Sequence, residues 1–148
     1  MKTIILVLSI ATSSVFPQTI DYNLKNGYIA NGYDVVAYFN NEAIEGDKKF
    51  HSQYDGVDYK FSSEKNLNLF IKNPEKYIPE YGGYCAYAIA KKGDKVSINP
   101  KTFKVTNGKL YLFYNAWGTN TLELWQKENE DVLQNKADEN WRKIKFKK

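Results

Sequence analysis

The stretch that decides the fold runs from residue 50 to residue 63 and reads FHSQYDGVDYKFSS. Asp55-Gly56 is a two-residue turn in which both positions accept positive φ, so it predicts a tight antiparallel hairpin. The turn fixes the cross-strand pairs as Tyr54 with Val57, Ser52 with Tyr59, and Phe50 with Phe61. These six side chains share one face, which we expect to be buried. His51 falls on the opposite, polar face, where the pattern favours an exposed strand histidine over a metal ligand.

A helix is predicted directly after the hairpin. Ser63 is placed to cap a helix that begins at Glu64, and Pro74 prevents the helix from continuing past Lys72 or Asn73. The apolar residues at helical spacing are Leu67, Phe70 and Ile71.

The rest of the chain supplies further elements. Residues 35–39 are an unbroken apolar run of strand length, and Asn107-Gly108 predicts a second hairpin between residues 103–106 and 109–114. Two helical segments follow. The first starts near Thr121 and is marked by Leu122, Trp125, Val132 and Leu133; a shorter second one is marked by Ala137, Trp141 and Ile144. The predicted fold class is α+β, with antiparallel β-hairpins packed on a central helix and with C-terminal helices.

The N-terminus has the order of a secretory signal peptide. Lys2 is followed by the apolar stretch 4–11 and then by the small residues 12–14. A transmembrane helix needs about 20 apolar residues, so this stretch is too short to be one. We expect residues 1–18 to be a signal peptide, cut after Ser13, after Ser14 or in the region 16–18; the alternative is a buried element of the fold. Residues 19–148 contain no repeat or linker and are predicted to form one exported domain, periplasmic or extracellular, without a membrane span.

Composition excludes several classes of function. A net charge of +4 is too small to indicate a nucleic-acid partner. The sequence has no Gly-rich phosphate loop and no Cys-x-x-Cys, and one cysteine with one histidine cannot form a four-ligand zinc site. There is no recognisable catalytic set, so the sequence favours a binding protein over an enzyme.

The residues that draw attention are 81–88, YGGYCAYA, which contain the only cysteine, Cys85. The two adjacent glycines permit a turn that could present Cys85 at the base of an aromatic pocket. In that case Cys85 is the candidate metal ligand, and Tyr81, Tyr84 and Tyr87 are the candidate ligand-binding residues. The alternative is that the glycines form a tight connection and that residues 85–88 are a small-residue strand in the core.

Several of these segments together resemble the YHS domain family. The similarity lies in the hairpin 54–61 with its Ser62-Ser63 exit, in Phe70, and in the turn Asn73-Pro74-Glu75-Lys76-Tyr77. Residues 32–39, 81–88 and 108–112 resemble a longer, exported bacterial branch of that family. The resemblance covers residues 31–141.

This resemblance implies a link to metal handling. YHS domains are similar to TRASH-type metal modules and occur beside proteins that handle copper and other heavy metals. Their usual ligands are cysteines ahead of the hairpin and around the strand-to-helix turn. Here the turn carries Ser62, Ser63 and Asn66 where cysteines would be expected, so that thiolate site does not carry over. Cys85 remains, and the resemblance implies that some relatives of this branch carry selenocysteine at its position.

The sequence therefore predicts an exported protein that binds a soft metal ion through Cys85 in a tyrosine-rich pocket. Copper is favoured because thiolates prefer Cu(I). Two alternatives stay open: a thiol-dependent redox enzyme that uses Cys85, and a metal-free module that binds a small molecule.

Overall fold

A computed structural model of the chain describes residues 17–148, so nearly all of the predicted signal peptide lies outside the described residues. The strands of the described part are β1 (Leu24–Lys25), β2 (Tyr28–Ile29), β3 (Asp47–Tyr54), β4 (Val57–Phe61), β5 (Asn99–Thr106), β6 (Lys109–Phe113), β7 (Asn115–Ala116) and β8 (Thr119–Asn120). The α-helices are α1 (Glu64–Lys72), α2 (Ala86–Lys92), α3 (Thr121–Lys127) and α4 (Glu130–Ile144). Four short 3-10 turns, at Ala30–Gly32, Ala37–Asn40, Pro74–Lys76 and Glu80–Gly83, connect them. The predicted α+β class is confirmed.

The first hairpin forms between β3 and β4, with Asp55 and Gly56 at φ of 50° and 73°. It lies in a four-stranded sheet of order β1-β2-β4-β3. The predicted faces are confirmed, because Tyr59 is buried while His51 is exposed. One predicted pair is wrong: Phe61 pairs with Asp47, not with Phe50.

The cause is an irregularity in β3 between Asp47 and His51. The Asp47 carboxylate accepts a hydrogen bond from the Lys49 backbone N–H at 2.9 Å, and His51 Nδ1 lies 3.0 Å from the Lys48 carbonyl oxygen. These local contacts compete with the ladder hydrogen bonds and allow extra residues to bulge out.

Helix α1 begins and ends where the sequence predicts. The Ser63 hydroxyl accepts a hydrogen bond from the Asn66 N–H at 3.2 Å. Phe70 is buried against the rings of Tyr59 and Phe61, at centroid distances of 4.6 and 5.0 Å. Ile71, expected on the same face, is 58% exposed, because the next residue of a helix is turned by about 100° from Phe70.

The strand predicted at residues 35–39 is wrong, since Ala37–Asn40 form a 3-10 turn. Asp34 directs this turn, because its carboxylate Oδ1 accepts hydrogen bonds from the N–H groups of Val36 at 2.9 Å and Ala37 at 3.3 Å. The aspartate at position 34 thus favours a turn over a strand in the residues that follow it. The apolar run is still part of the core, because Val35, Val36, Ala37 and Tyr38 are all buried.

Residues 81–88 do not form a strand either. Tyr81, Gly82 and Gly83 all have positive φ, and α2 begins at Ala86. A Cβ on Gly82 would lie 2.8 Å from the Asp21 carbonyl oxygen and 2.9 Å from the Trp141 ring, so glycine is needed there.

The second hairpin is confirmed as β5 and β6, and α3 begins at Thr121 as predicted. The first C-terminal helix ends earlier than expected, at Lys127. Asn129 caps α4 by accepting a hydrogen bond from the Val132 N–H at 3.1 Å, so Val132 and Leu133 belong to α4. No helix in residues 17–148 combines the length and the apolar character that crossing a membrane requires.

Strand β6 separates two parts of the core. Leu110 and Leu112 pack with α1 and the four-stranded sheet, whereas Tyr111 and Phe113 pack with α2, α3 and α4. The N-terminal arm is tied to the second part. The Asp21 N–H donates to the Lys145 carbonyl oxygen at 2.7 Å, and the Lys147 N–H donates to the Thr19 carbonyl oxygen at 3.0 Å.

Candidate functional site

Cys85 lies at the start of α2, directly after the left-handed turn, and has no exposed surface. Its Sγ is 3.3 Å from Thr121 Oγ1, and the Thr121 hydroxyl donates to the Tyr114 carbonyl oxygen at 2.7 Å. A threonine hydroxyl has a single proton, so the thiol is the donor toward Thr121. The resting sulfur is therefore a buried thiol with one hydrogen-bond partner.

A cavity of about 240 Å³ adjoins this thiol. We call it the thiol cavity; its lining residues are Cys85, Tyr87, Ala88, Lys91, Lys92, Asp94, Val96, Tyr114 and Thr121. Because Cys85 is 0% exposed, the sulfur lies beneath the floor of the cavity. A ligand can reach it only after a lining side chain moves.

Of the three predicted tyrosines, the structure brings Tyr87 to the thiol cavity. Its hydroxyl donates to Glu128 Oε1 at 2.8 Å, and Lys91 Nζ forms an ion pair with Glu128 at 3.0 Å. The hydrogen bond from Tyr87 lowers the pKa of Glu128, and Lys91 lowers it further. The same hydrogen bond raises the pKa of Tyr87. These three side chains form a clasp between α2 and the end of α3.

Tyr81 and Tyr84 lie elsewhere. Tyr81 is buried in the second part of the core, and its hydroxyl donates to Asp138 Oδ1 at 2.9 Å. Tyr84 packs beside Trp141, with 6.3 Å between ring centroids. The left-handed backbone at residues 81–83 turns these two side chains toward α4, whereas Tyr87 points toward Glu128 from the first turn of α2.

Sequence reasoning missed the role of Asp34, a fully buried carboxylate. Besides the two backbone groups that bond to its Oδ1, its Oδ2 accepts hydrogen bonds from the Ser62 N–H at 2.8 Å, the Ser62 hydroxyl at 2.6 Å and the Asn66 amide at 2.7 Å. Ser62 and Asn66 are two of the three residues that stand where cysteines were expected. They stabilise a buried carboxylate instead of presenting ligands. The available signal was an Asp directly before an apolar run, a common turn-capping position.

The described residues offer no closed metal site. Residues 17–148 contain no group of three or more His, Cys, Asp and Glu side chains arranged to hold an ion. His51 is exposed on β3 and does not line the thiol cavity. A soft metal ion would therefore have Cys85 as its single thiolate anchor.

Part of this fold matches the model of a known protein family. Residues 35–81 match the family model of the YHS domain. This YHS-like segment runs from Val35 through the first hairpin and α1 to Tyr81. Members of this family are associated with metal binding in general. Comparisons with curated proteins and with solved structures gave no match. Cys85 lies just beyond the matched segment.

Proposed function

We propose that this chain is an exported binding protein that holds a soft metal ion, with Cu(I) favoured, through the Cys85 thiolate. The observation that carries the proposal is a lone cysteine sulfur of the described residues that lies directly beneath the floor of the thiol cavity, just beyond the segment that matches the YHS domain. The association of YHS domains with metals supports the class of ligand. Thiolate chemistry supports the choice of a soft ion, because sulfur ligands select Cu(I) over hard cations.

The contacts of Cys85 suit metal exchange. On binding, the thiol loses its proton, and the Thr121 hydroxyl keeps its own hydrogen bond to the Tyr114 carbonyl oxygen. The metal therefore replaces one weak S–H hydrogen bond and leaves no backbone group unpaired. With one protein ligand, the remaining coordination positions are open to a ligand from a donor or an acceptor molecule. This arrangement favours transfer of the ion over permanent storage.

Access to the sulfur depends on the clasp. Tyr87 and Lys91 line the thiol cavity and are both bonded to Glu128. All three side chains are partly in contact with solvent, so their bonds are weak enough to open and close. Opening of the clasp would free Tyr87 to move and admit a ligand to the floor of the cavity.

Export is part of the proposal. The N-terminal order of a basic residue, an apolar stretch and small residues is that of a signal peptide. The arm that would follow the cut is integrated into the fold, since Thr19 and Asp21 bond to the backbone of residues 145–147. Cleavage anywhere before Thr19 would leave these contacts intact.

Competition for Cu(I) against a chromophoric chelator tests the proposal. We expect the wild-type protein to withdraw one Cu(I) per chain and the Cys85→Ser variant to withdraw none. Serine keeps the size of the side chain and can still donate to Thr121, so its fold should be retained and can be verified by circular dichroism. His51→Ala is the matched control, because it removes the other soft donor of the described chain from an exposed position.

Equal copper binding by wild type and Cys85→Ser would refute the assignment. Loss of Cu(I) binding in His51→Ala would instead indicate that the copper site is at His51 on β3. A wild-type protein that binds no copper, but whose thiol is oxidised rapidly by peroxide and restored by a reductant, would favour the thiol-dependent redox alternative instead.

A further inference from the structure

A second cavity, of about 450 Å³, shares no lining residue with the thiol cavity. We call it the carboxylate cavity. It opens between the 3-10 turn Glu80–Gly83, the start of β6 and one face of α4. Its polar and aromatic lining includes Glu80, Tyr81, Lys109, Asp138, Trp141 and Arg142.

Glu80 is a carboxylate of this cavity that has no partner among the described residues. Its side chain is half-buried, and it makes no hydrogen bond or ion pair within residues 17–148. Burial raises the pKa of Glu80, with Lys109 opposing the shift and Asp138 adding to it. A carboxylate that is partly withdrawn from water and has no donor is costly, so the fold retains an acceptor that no group of the described residues satisfies.

Asp138 supplies a second carboxylate to this cavity. Its Oδ1 accepts a hydrogen bond from the Tyr81 hydroxyl at 2.9 Å, and its Oδ2 has no hydrogen-bond partner among the described residues.

The remaining charges lie at the rim. Arg142 follows Asp138 by one turn of α4, yet the two form no ion pair, and Lys109 likewise has none within the part of the chain that the structure describes. Both side chains are exposed. The cavity therefore has free acceptors inside and free cationic donors at its edge.

We infer that the carboxylate cavity binds a small zwitterion, with its ammonium group at Glu80 and Asp138 and its carboxylate at Arg142 or Lys109. The aromatic rings of Tyr81 and Trp141 both line the cavity, with 6.4 Å between their centroids, and they favour an organic ammonium. The backbone of Tyr81 supports the same interpretation: it holds a positive φ of 55°, and such strained conformations cluster at ligand sites.

Three probes of matched size test this site: 4-aminobutyrate, butylammonium and butyrate. Binding to the exported protein is followed by two-dimensional NMR, with the indole N–H of Trp141 as the reporter. We expect 4-aminobutyrate to bind most tightly, butylammonium less tightly and butyrate least. Glu80→Gln should weaken the first two by about ten- to a hundredfold, the usual cost of losing a charged hydrogen-bond partner, and leave butyrate unchanged.

Glu139→Gln is the matched control, because Glu139 neighbours Asp138 on α4 but is exposed and pairs with Lys143. It should leave all three affinities unchanged. The double variant Lys109→Met, Arg142→Met removes both cationic groups of the rim, so it should weaken 4-aminobutyrate and spare butylammonium. Butyrate binding as tightly as 4-aminobutyrate, no shift with any probe at millimolar concentration, or displacement of the probe by Ca²⁺ would overturn the inference. These results are independent of copper binding at Cys85.

Discussion

Replacing Asp34 by alanine should destabilise the protein more than any exposed carboxylate substitution. The Asp34 side chain accepts five hydrogen bonds, three from backbone N–H groups and two from the side chains of Ser62 and Asn66. It thereby joins the 3-10 turn Ala37–Asn40, the end of β4 and the first turns of α1. The substitution removes every one of these acceptors from a site with no exposure to water.

The expected loss in the free energy of unfolding follows from the donors that the substitution leaves without an acceptor. A hydrogen bond to a charged group is worth about 1.5–3 kcal/mol, but the sum of five overstates the loss because burying the carboxylate itself carries a cost. The partners of Asp34 are all neutral donors, and a buried donor left without an acceptor costs about 1–3 kcal/mol, so we expect a total loss of about 3–5 kcal/mol. For a domain of this size that corresponds to a fall in Tm of roughly 10–15 °C. Asp34→Asn should lose about half as much, because one acceptor oxygen is kept.

Urea unfolding followed by tryptophan fluorescence measures this loss. Asp47→Ala serves as the control, because its carboxylate is exposed and accepts one local hydrogen bond, so we expect a change within about 0.5 kcal/mol. A loss below about 1 kcal/mol for Asp34→Ala would refute the reasoning that this network holds the YHS segment together.

Three further predictions follow from other contacts. Glu128→Gln weakens the clasp over the thiol cavity, so the Cys85 thiol should react several-fold faster with a thiol reagent at pH 8. Glu123→Gln, at an exposed position of α3, should not change this rate. Equal rates for wild type and Glu128→Gln would show that the clasp does not control access to the thiol. The pKa of Glu80 is raised in the folded state, so the stability that its protonated form contributes is fully present below the ordinary carboxyl pKa and is lost as pH rises through the folded pKa. Glu80→Gln should therefore raise the free energy of unfolding at pH 7 and not at pH 3. A loss of stability at pH 7 would contradict this sign. N-terminal sequencing of protein from the exported fraction should find a first residue no later than Thr19, because Thr19 and Asp21 bond to the C-terminal segment; an intact Met1 there would contradict the signal peptide.

Local signals in the sequence were sufficient for the hairpins and helix starts. Asp55-Gly56 and Asn107-Gly108 accept the positive φ that a tight turn needs, and Ser63 offers the oxygen that a helix start needs. These preferences act over a few residues, so no tertiary contact is required to predict them.

The sequence-based predictions were wrong where tertiary contacts or competing local hydrogen bonds determine the structure. The run 35–39 has strand composition, but Asp34 bonds to its backbone and turns it. Tyr81, Tyr84 and Cys85 are close in sequence, but three successive residues with positive φ send the two tyrosines toward α4. The direction of those side chains depends on the approach of Trp141 to Gly82, which residues distant in sequence determine.

Metal analysis of the protein purified from its native compartment tests the central claim most directly. Wild type and Cys85→Ser are purified in parallel, without added metal or strong chelators, and their copper content per chain is measured. The account predicts that copper accompanies the wild-type protein and is absent from Cys85→Ser. A wild-type protein free of copper, or an equal copper content in the two proteins, would contradict it.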